Sequence, residues 1–219
     1  MKDFHKAAEH FLEQWCDPER KIDGKRPRYS ETDLSFVEQF RGNFTCGQLH
    51  RFCVCYAVAR TVPGKDPTHG KYQTFVDMLK SHRHTLVTRE TMPRFVVDRV
   101  DEMATHYGKK FLSAVTKALW MVKQHPIVIF DSYAYRALVR LGLSPEGDYS
   151  KYVGSWLEFS RRPKESRELS DALARLPESP AARSLEKRSI AETKQVREWA
   201  EQPWFRDRVV DMYLWFAGK

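Results

Sequence analysis

The amino-acid sequence predicts an all-α protein, and three observations support this fold class. Apolar residues recur at helical spacing in most of the chain, beginning with residues 3–16. The one candidate strand, residues 127–130, is too little for a sheet. Residues 196–216 are rich in aromatic side chains, so we expect a C-terminal helix that packs back on the N-terminal helices.

Residues that favour helix ends divide the chain into elements. Asp17 and Pro18 end the first helix, Thr45 or Asn43 begins the third, and Gly108 ends the fifth. The expected helices, in chain order, are residues 3–16, 34–40, 46–62, 72–79, 95–107, 112–123, 131–141, 149–159 and 196–216.

Residues 161–194 are the most charged and least periodic part of the chain, with Pro177 and Pro180 among them. We expect one or two short helices there, in a solvent-facing excursion. The whole chain, residues 1–219, is expected to form a single α-helical domain or two lobes. In the second case the N- and C-terminal helices lie together, and residues 86–160 form a central lobe with the candidate site.

The composition limits the class of protein and of partner. Hydrophobic residues make up 42% of the chain and aromatic residues 13%, enough for a core. The formal net charge of +8 favours an anionic partner, most commonly nucleic acid, although a basic protein without such a partner is the alternative. The four cysteines have no CxxC spacing, and no apolar run approaches membrane-spanning length. We therefore expect a soluble, cytoplasmic monomer with reduced cysteines and without a metal or other cofactor.

Lys117 lies in an apolar setting within the predicted helix 112–123. At about 100° per residue, it falls next to Met121 and Trp120, beyond the edge of the apolar face. Partial desolvation lowers the pKa of a lysine and makes its amine a usable nucleophile near neutral pH. The alternative is a lysine whose stem covers Trp120 and whose ammonium group reaches water.

Asp131 follows the apolar residues 127–130 and precedes a predicted helix. Aspartate is among the best residues for capping the first amides of a helix. Capping is compatible with catalysis, because the helix dipole favours an ionised carboxylate at this position. Such a carboxylate can stabilise a cationic transition state or accept a proton.

The stretch from the lysine helix to the aspartate helix resembles the helix-hairpin-helix DNA glycosylase superfamily, and within it the 8-oxoguanine-glycosylase-like branch. The matching residues are 113–119, SAVTKAL, and 127–133, IVIFDSY. The resemblance implies that Lys117 attacks the sugar C1′ of a flipped nucleotide and that Asp131 is the essential carboxylate. Asp131 follows Lys117 by 14 residues, a short spacing for this family, and residues 108–110, GKK, replace its glycine-rich hairpin. The chain is thus similar to a reduced, divergent member.

The implied substrate is double-stranded DNA with a modified or damaged base, which must leave the stack before excision. The residues expected to contact the base or fill its gap are aromatic: Phe44, Trp120, Tyr133, Tyr135, Tyr152 and Trp156. The residues expected to hold phosphates are cationic: Lys109, Lys110, Arg136, Arg140 and Lys151. The expected activity is DNA N-glycosylase, with or without an AP-lyase step, in DNA repair or antiviral defence.

Two alternatives retain the fold without the chemistry. The first is a non-catalytic DNA-binding protein with a glycosylase-like fold, which binds DNA in a salt-dependent way and cuts nothing. The second is a helical scaffold in which the side chain of Lys117 reaches solvent and Asp131 only caps its helix.

Overall fold

The computed structural model describes residues 3–20, 31–62 and 72–219. These residues form twelve α-helices and one 3-10 helix, Leu176–Glu178, without a strand. The α-helices are α1 (Phe4–Cys16), α2 (Asp33–Arg41), α3 (Cys46–Cys55), α4 (Gln73–Ser81), α5 (Met92–Tyr107), α6 (Leu112–Lys123), α7 (Ser132–Arg140), α8 (Tyr149–Arg161), α9 (Pro163–Arg175), α10 (Pro180–Lys187), α11 (Thr193–Ala200) and α12 (Pro203–Gly218). The predicted all-α class is confirmed. Within the described residues, no helix is both long and apolar enough to cross a membrane.

The described residues fall into two compact units. The terminal unit comprises residues 3–20 and 130–219, and the central unit comprises residues 31–62 and 72–129. The expected lobe of residues 86–160 is divided between them, because the boundary falls between Ile129 and Phe130. Lys117 therefore belongs to the central unit and Asp131 to the terminal unit.

In the terminal unit, α12 packs against α1 and α7. Aromatic pairs join the first and last helices: the Phe4 and Tyr213 rings stack with centroids 4.1 Å apart, and the Phe11 and Phe205 centroids are 4.7 Å apart. Such pairs contribute both buried area and specific ring geometry. The prediction that the C-terminal helix packs back on the N-terminal helix is confirmed.

In the central unit, α6 packs against α2, α4 and α5. Capping fixes several helix ends, as the sequence predicts. The Thr45 hydroxyl accepts from the Gln48 amide at the start of α3, and α5 ends at Gly108, which has a φ of 67°. However, α3 ends at Cys55 rather than at residue 62. The apolar pattern continues past the end of the helix because Val58, in the turn that follows, is also buried.

Residues 161–194 contain α9, the 3-10 helix, α10 and the start of α11, and they pack on α1. The expectation of a solvent-facing excursion is wrong. Apolar side chains are few in this stretch, but Leu169, Leu173, Leu176 and Leu185 are all buried. Because the first three are spaced by three or four residues, they form a narrow apolar stripe on an otherwise charged surface.

Candidate active site

The Asp131 carboxylate caps α7. The residue is extended, with φ −138° and ψ 138°, and its Oδ1 accepts a hydrogen bond of 2.9 Å from the Tyr133 amide. The side chain is half-buried. The first amides of the nine-residue helix and its dipole favour a negative charge there. The Asp131 carboxylate is thus held by a local helix-capping hydrogen bond, as the sequence predicts.

Tyr152 of α8 contacts the backbone of Asp131. Its side chain is buried, its ring centroid is 5.0 Å from that of Phe130, and a hydrogen bond joins its hydroxyl group to the Asp131 backbone. Burial, followed by the nearby Asp211 carboxylate, raises the pKa of Tyr152 well above its ordinary value. The hydroxyl group therefore stays protonated and positions the backbone of Asp131 instead of exchanging protons with substrate.

The end of α12 contacts both ends of α7. Gly218 lies so close to α7 that an added Cβ would overlap the carbonyl group of Tyr133. At the other end of α7, Arg140 Nη1 donates to the Ala217 carbonyl at 3.2 Å. The helix that carries the Asp131 cap is therefore fastened to the end of α12 at its first and last turns.

Tyr133, Arg136, Trp215 and Lys219 form an aromatic–cation strip along α7 and the end of α12. The Arg136 guanidinium lies 4.4 Å from the Tyr133 ring centroid, and the Lys219 ammonium lies 4.7 Å from that of Trp215. The two rings meet edge to face with centroids 5.8 Å apart. Both rings are half-buried, and both cations are exposed. Two adjoining rings, each paired with a cation, are suited to nucleic-acid bases and phosphates.

Two members of the strip, Trp215 and Lys219, were not among the sequence-predicted site residues. The aromatic residues of the last helix were all assigned to packing. The available signal was the spacing of Trp215 and Lys219, which places both on one face of the last helical turn.

Lys117 lies on α6 in the central unit. It is half-buried, and its ammonium nitrogen is 6.0 Å from the centroid of the Tyr56 ring. On the same helix Met121 and Trp120 are buried, as are Val115 and Leu119 of the predicted apolar face. The prediction that Lys117 borders apolar and aromatic neighbours is therefore confirmed, whereas its nucleophilic role stays a prediction.

A second lysine of α6, Lys123, has a different role. Its ammonium group donates to the carbonyls of Arg83 at 3.0 Å and Thr85 at 2.6 Å, and burial lowers its pKa. Those two hydrogen bonds fasten the loop after α4. The nearby His82 contacts Arg99 and lies 3.7 Å from Glu102, so this cluster is a structural junction of the central unit.

Four of the aromatic residues expected to contact a base, Phe44, Trp120, Tyr152 and Trp156, are core residues. Phe44, Tyr152 and Trp156 are each 1% exposed and Trp120 is fully buried, so their rings have almost no exposed face. Phe44 stacks on Phe40 with centroids 4.4 Å apart, and the Trp156 indole donates to Asp211 Oδ1 at 2.8 Å. The prediction that these four residues contact a base is therefore wrong. Most aromatic residues at helical spacing are core residues, and the spacing alone does not show which few of them reach the surface.

Tyr135 is half-buried, with its ring centroid 6.5 Å from that of Phe130. Lys109 and Lys110, just after α5, are exposed, and so is Lys151 in the first turn of α8. Lys110 pairs with Asp101 at 2.6 Å, but an ion pair this exposed is weak and does not preclude phosphate binding.

Within residues 3–20, 31–62 and 72–219, no three His, Cys, Asp or Glu side chains are grouped closely enough to hold a metal ion. Comparison with protein-family models, with curated proteins and with solved structures gave no match.

Proposed function

We propose that this protein is a DNA glycosylase that removes a modified or damaged base from double-stranded DNA, in repair or in defence against phage. The observation that carries the proposal is the carboxylate of Asp131. It is half-buried, caps α7, and accepts from the amide of Tyr133, the first residue of the aromatic–cation strip. A carboxylate with this setting is suited to stabilising a developing positive charge.

Cleavage of an N-glycosidic bond develops positive charge on the sugar as the C1′–N bond breaks and the base leaves with the electron pair. In this proposal Asp131 stabilises that oxocarbenium-like state and accepts the proton released by the nucleophile. With water as nucleophile, the product is an abasic site. With the Lys117 amine as nucleophile, a C1′–N bond forms, the sugar ring opens to a Schiff base, and elimination then cuts the strand.

The aromatic–cation strip supports the nucleic-acid part of the proposal. A base must leave the stack before excision, at a cost of a few kcal/mol. The half-exposed rings of Tyr133 and Trp215 offer stacking surfaces, and Arg136 and Lys219 offer positive charge for phosphate. The net charge of +8 acts in the same direction.

The experiment uses duplexes that each carry one altered base, followed by alkaline cleavage of abasic sites. We expect Asp131→Asn to abolish excision of the base that the wild-type protein removes. The matched control is Asp148→Asn, because Asp148 also caps a helix, accepting from the Lys151 amide at 2.9 Å. Excision at the wild-type rate by Asp131→Asn would contradict the proposal, since the variant keeps the cap and loses only the charge.

Borohydride trapping tests the role of Lys117 separately. If Lys117 is the nucleophile, borohydride traps a covalent complex between protein and DNA, and Lys117→Ala abolishes it. The control is Lys164→Ala, at an exposed lysine of α9 that pairs with Glu168 of the same helix. Excision without a trapped complex would show that water is the nucleophile.

A non-catalytic DNA-binding protein is the second candidate, favoured by the strip and the basic charge alone. It predicts DNA binding that weakens steeply with salt and no excision of any base tested. Asp131→Asn would then leave DNA affinity unchanged or raise it, because the substitution removes a negative charge beside the strip.

A further inference from the structure

The contact between α12 and α7 is a backbone contact that requires glycine. A Cβ built at Gly218 would overlap the Tyr133 carbonyl and would lie 3.0 Å from Tyr133 Cα. The obstructing atoms belong to the backbone of α7, so rotation of a side chain cannot relieve the overlap. A methyl group at this position therefore requires that either α7 or the end of α12 moves.

The residue that Gly218 contacts is also the residue that holds the candidate carboxylate. The carbonyl side of Tyr133 faces Gly218, and its amide donates to Asp131 Oδ1 at 2.9 Å. The first turn of α7 thus joins the end of α12 to the Asp131 side chain through a single residue. A shift of this turn moves the hydrogen-bond donor and, with it, the carboxylate.

Two further contacts limit how the first turn of α7 can shift. Arg140 Nη1 donates to the Ala217 carbonyl at 3.2 Å and fastens the last turn of α7 to the same end of α12. The buried hydroxyl group of Tyr152 holds the Asp131 backbone from α8. Displacement of the first turn of α7 therefore strains the hydrogen bonds of Arg140 and Tyr152.

We infer that Gly218 is a positioning residue for the Asp131 carboxylate: its missing side chain lets α12 support the first turn of α7 at Tyr133. The inference rests on the proposed function for its catalytic consequence, but the contact itself can be tested without substrate. Gly218 does not touch the reacting atoms. Misplacement of a catalytic group by about 1 Å can reduce the rate by about 100-fold.

The test compares Gly218→Ala with Gly154→Ala, measuring amide hydrogen exchange in both. Gly154 is an exposed glycine of α8, and an added Cβ there meets nothing within 4 Å. We expect Gly218→Ala to raise the exchange rate of the Tyr133 amide by about 10-fold or more, because loss of its hydrogen bond costs about 1.4 kcal/mol or more. Gly154→Ala should leave that rate unchanged.

Unchanged exchange at Tyr133 in a folded Gly218→Ala variant would overturn the inference. That includes the case in which only the last turn of α12 frays to make room for the methyl group. If Gly218→Ala does not fold, Arg140→Gln provides the second variant, since it breaks the hydrogen bond to Ala217 without adding an atom at the contact. It should also raise Tyr133 exchange, and no change would again overturn the inference.

Activity gives the functional readout. On a duplex that the wild-type protein processes, we expect Gly218→Ala to lower kcat by about 100-fold while KM changes by less than about threefold. Gly154→Ala should match the wild-type protein in both parameters. A wild-type protein that excises no base would contradict the proposed function, whereas the exchange measurement would still decide whether Gly218 supports α7.

Discussion

The carboxyl group of Asp211 lies in the core of the terminal unit and predicts a pH-dependent stability. The Trp156 indole donates to Oδ1 at 2.8 Å, and Arg208 Nη1 donates to Oδ2 at 3.0 Å. Burial raises the pKa of Asp211 from 3.8 to about 6, against the opposing effect of the Arg208 charge. The native state therefore binds this proton more tightly than the unfolded chain does.

We expect Asp211→Asn to remove this dependence of stability on pH. A carboxyl group whose folded-state pKa is raised contributes stability in its protonated form, fully present below pH 3.8 and lost as the pH rises through about 6. The difference between those two pKa values corresponds to about 3 kcal/mol of unfolding free energy. The attraction between Arg208 and the ionised carboxylate is already included in this pKa, because Asp211 is charged in the native state only above about pH 6.

The assay is urea denaturation of both proteins at intervals between about pH 4 and pH 7.5. The measured quantity is the unfolding free energy of Asp211→Asn minus that of the wild-type protein, which should rise by about 2.5 kcal/mol across the interval. Asp171→Asn, at an exposed residue of α9, serves as the control. A difference for Asp211→Asn that stays constant within about 0.5 kcal/mol would refute the reasoning.

Three further stability predictions follow from single contacts, each measured by urea denaturation. Asp131→Asn keeps the α7 cap and should match the wild-type free energy within about 0.5 kcal/mol, whereas Asp131→Ala should lose about 1 kcal/mol. Arg188→Ala removes two hydrogen bonds, of 3.1 and 2.6 Å, from the buried Asp17 carboxylate and should cost about 2 kcal/mol; a loss below about 0.5 kcal/mol would mean that water replaces the pair. Gly108→Ala should cost about 1 kcal/mol from its φ of 67° alone, because an added Cβ meets nothing within 4 Å; equal stability would contradict this.

Helix ends were predictable from the sequence where the hydrogen bond that fixes them is local. Thr45 caps α3 through a residue three positions ahead, and Asp131 caps α7 through a residue two positions ahead. Gly108 ends α5 through its own backbone conformation. These features depend on neighbours within one turn of chain, so residue type and spacing contain most of the information.

Residues 161–194 were mispredicted because their stability is not local. Their charged composition resembles that of a solvated segment, and few apolar residues interrupt it. What makes them helical and packed is the surface of α1, together with the ion pair between Arg188 and Asp17 at 2.6 Å, which joins residues 171 positions apart. No window of sequence contains both partners of such a contact.

Contacts between residues distant in sequence also decide which aromatic residues are buried and which belong to the aromatic–cation strip. Trp156 and Trp215 are both tryptophans on predicted helices, but the first bonds Asp211 in the core and the second stacks with Tyr133 at the surface. On α12 nearly every residue from Phe205 to Leu214 is buried, so no polar stripe marks which face of the helix is exposed. Hydrophobic periodicity could not identify Trp215 there, and only its four-residue spacing from Lys219 was a signal.

The role of Gly218 could not be predicted from a pattern in the sequence. Its contribution comes from the volume that a side chain would fill, and that volume is defined only by the backbone of Tyr133, 85 residues earlier in the chain. A glycine at the end of a helix is ordinarily explained by helix termination. Here the contact that requires glycine is with another helix, so a local explanation would have assigned the residue to the end of α12 and overlooked its connection to Asp131.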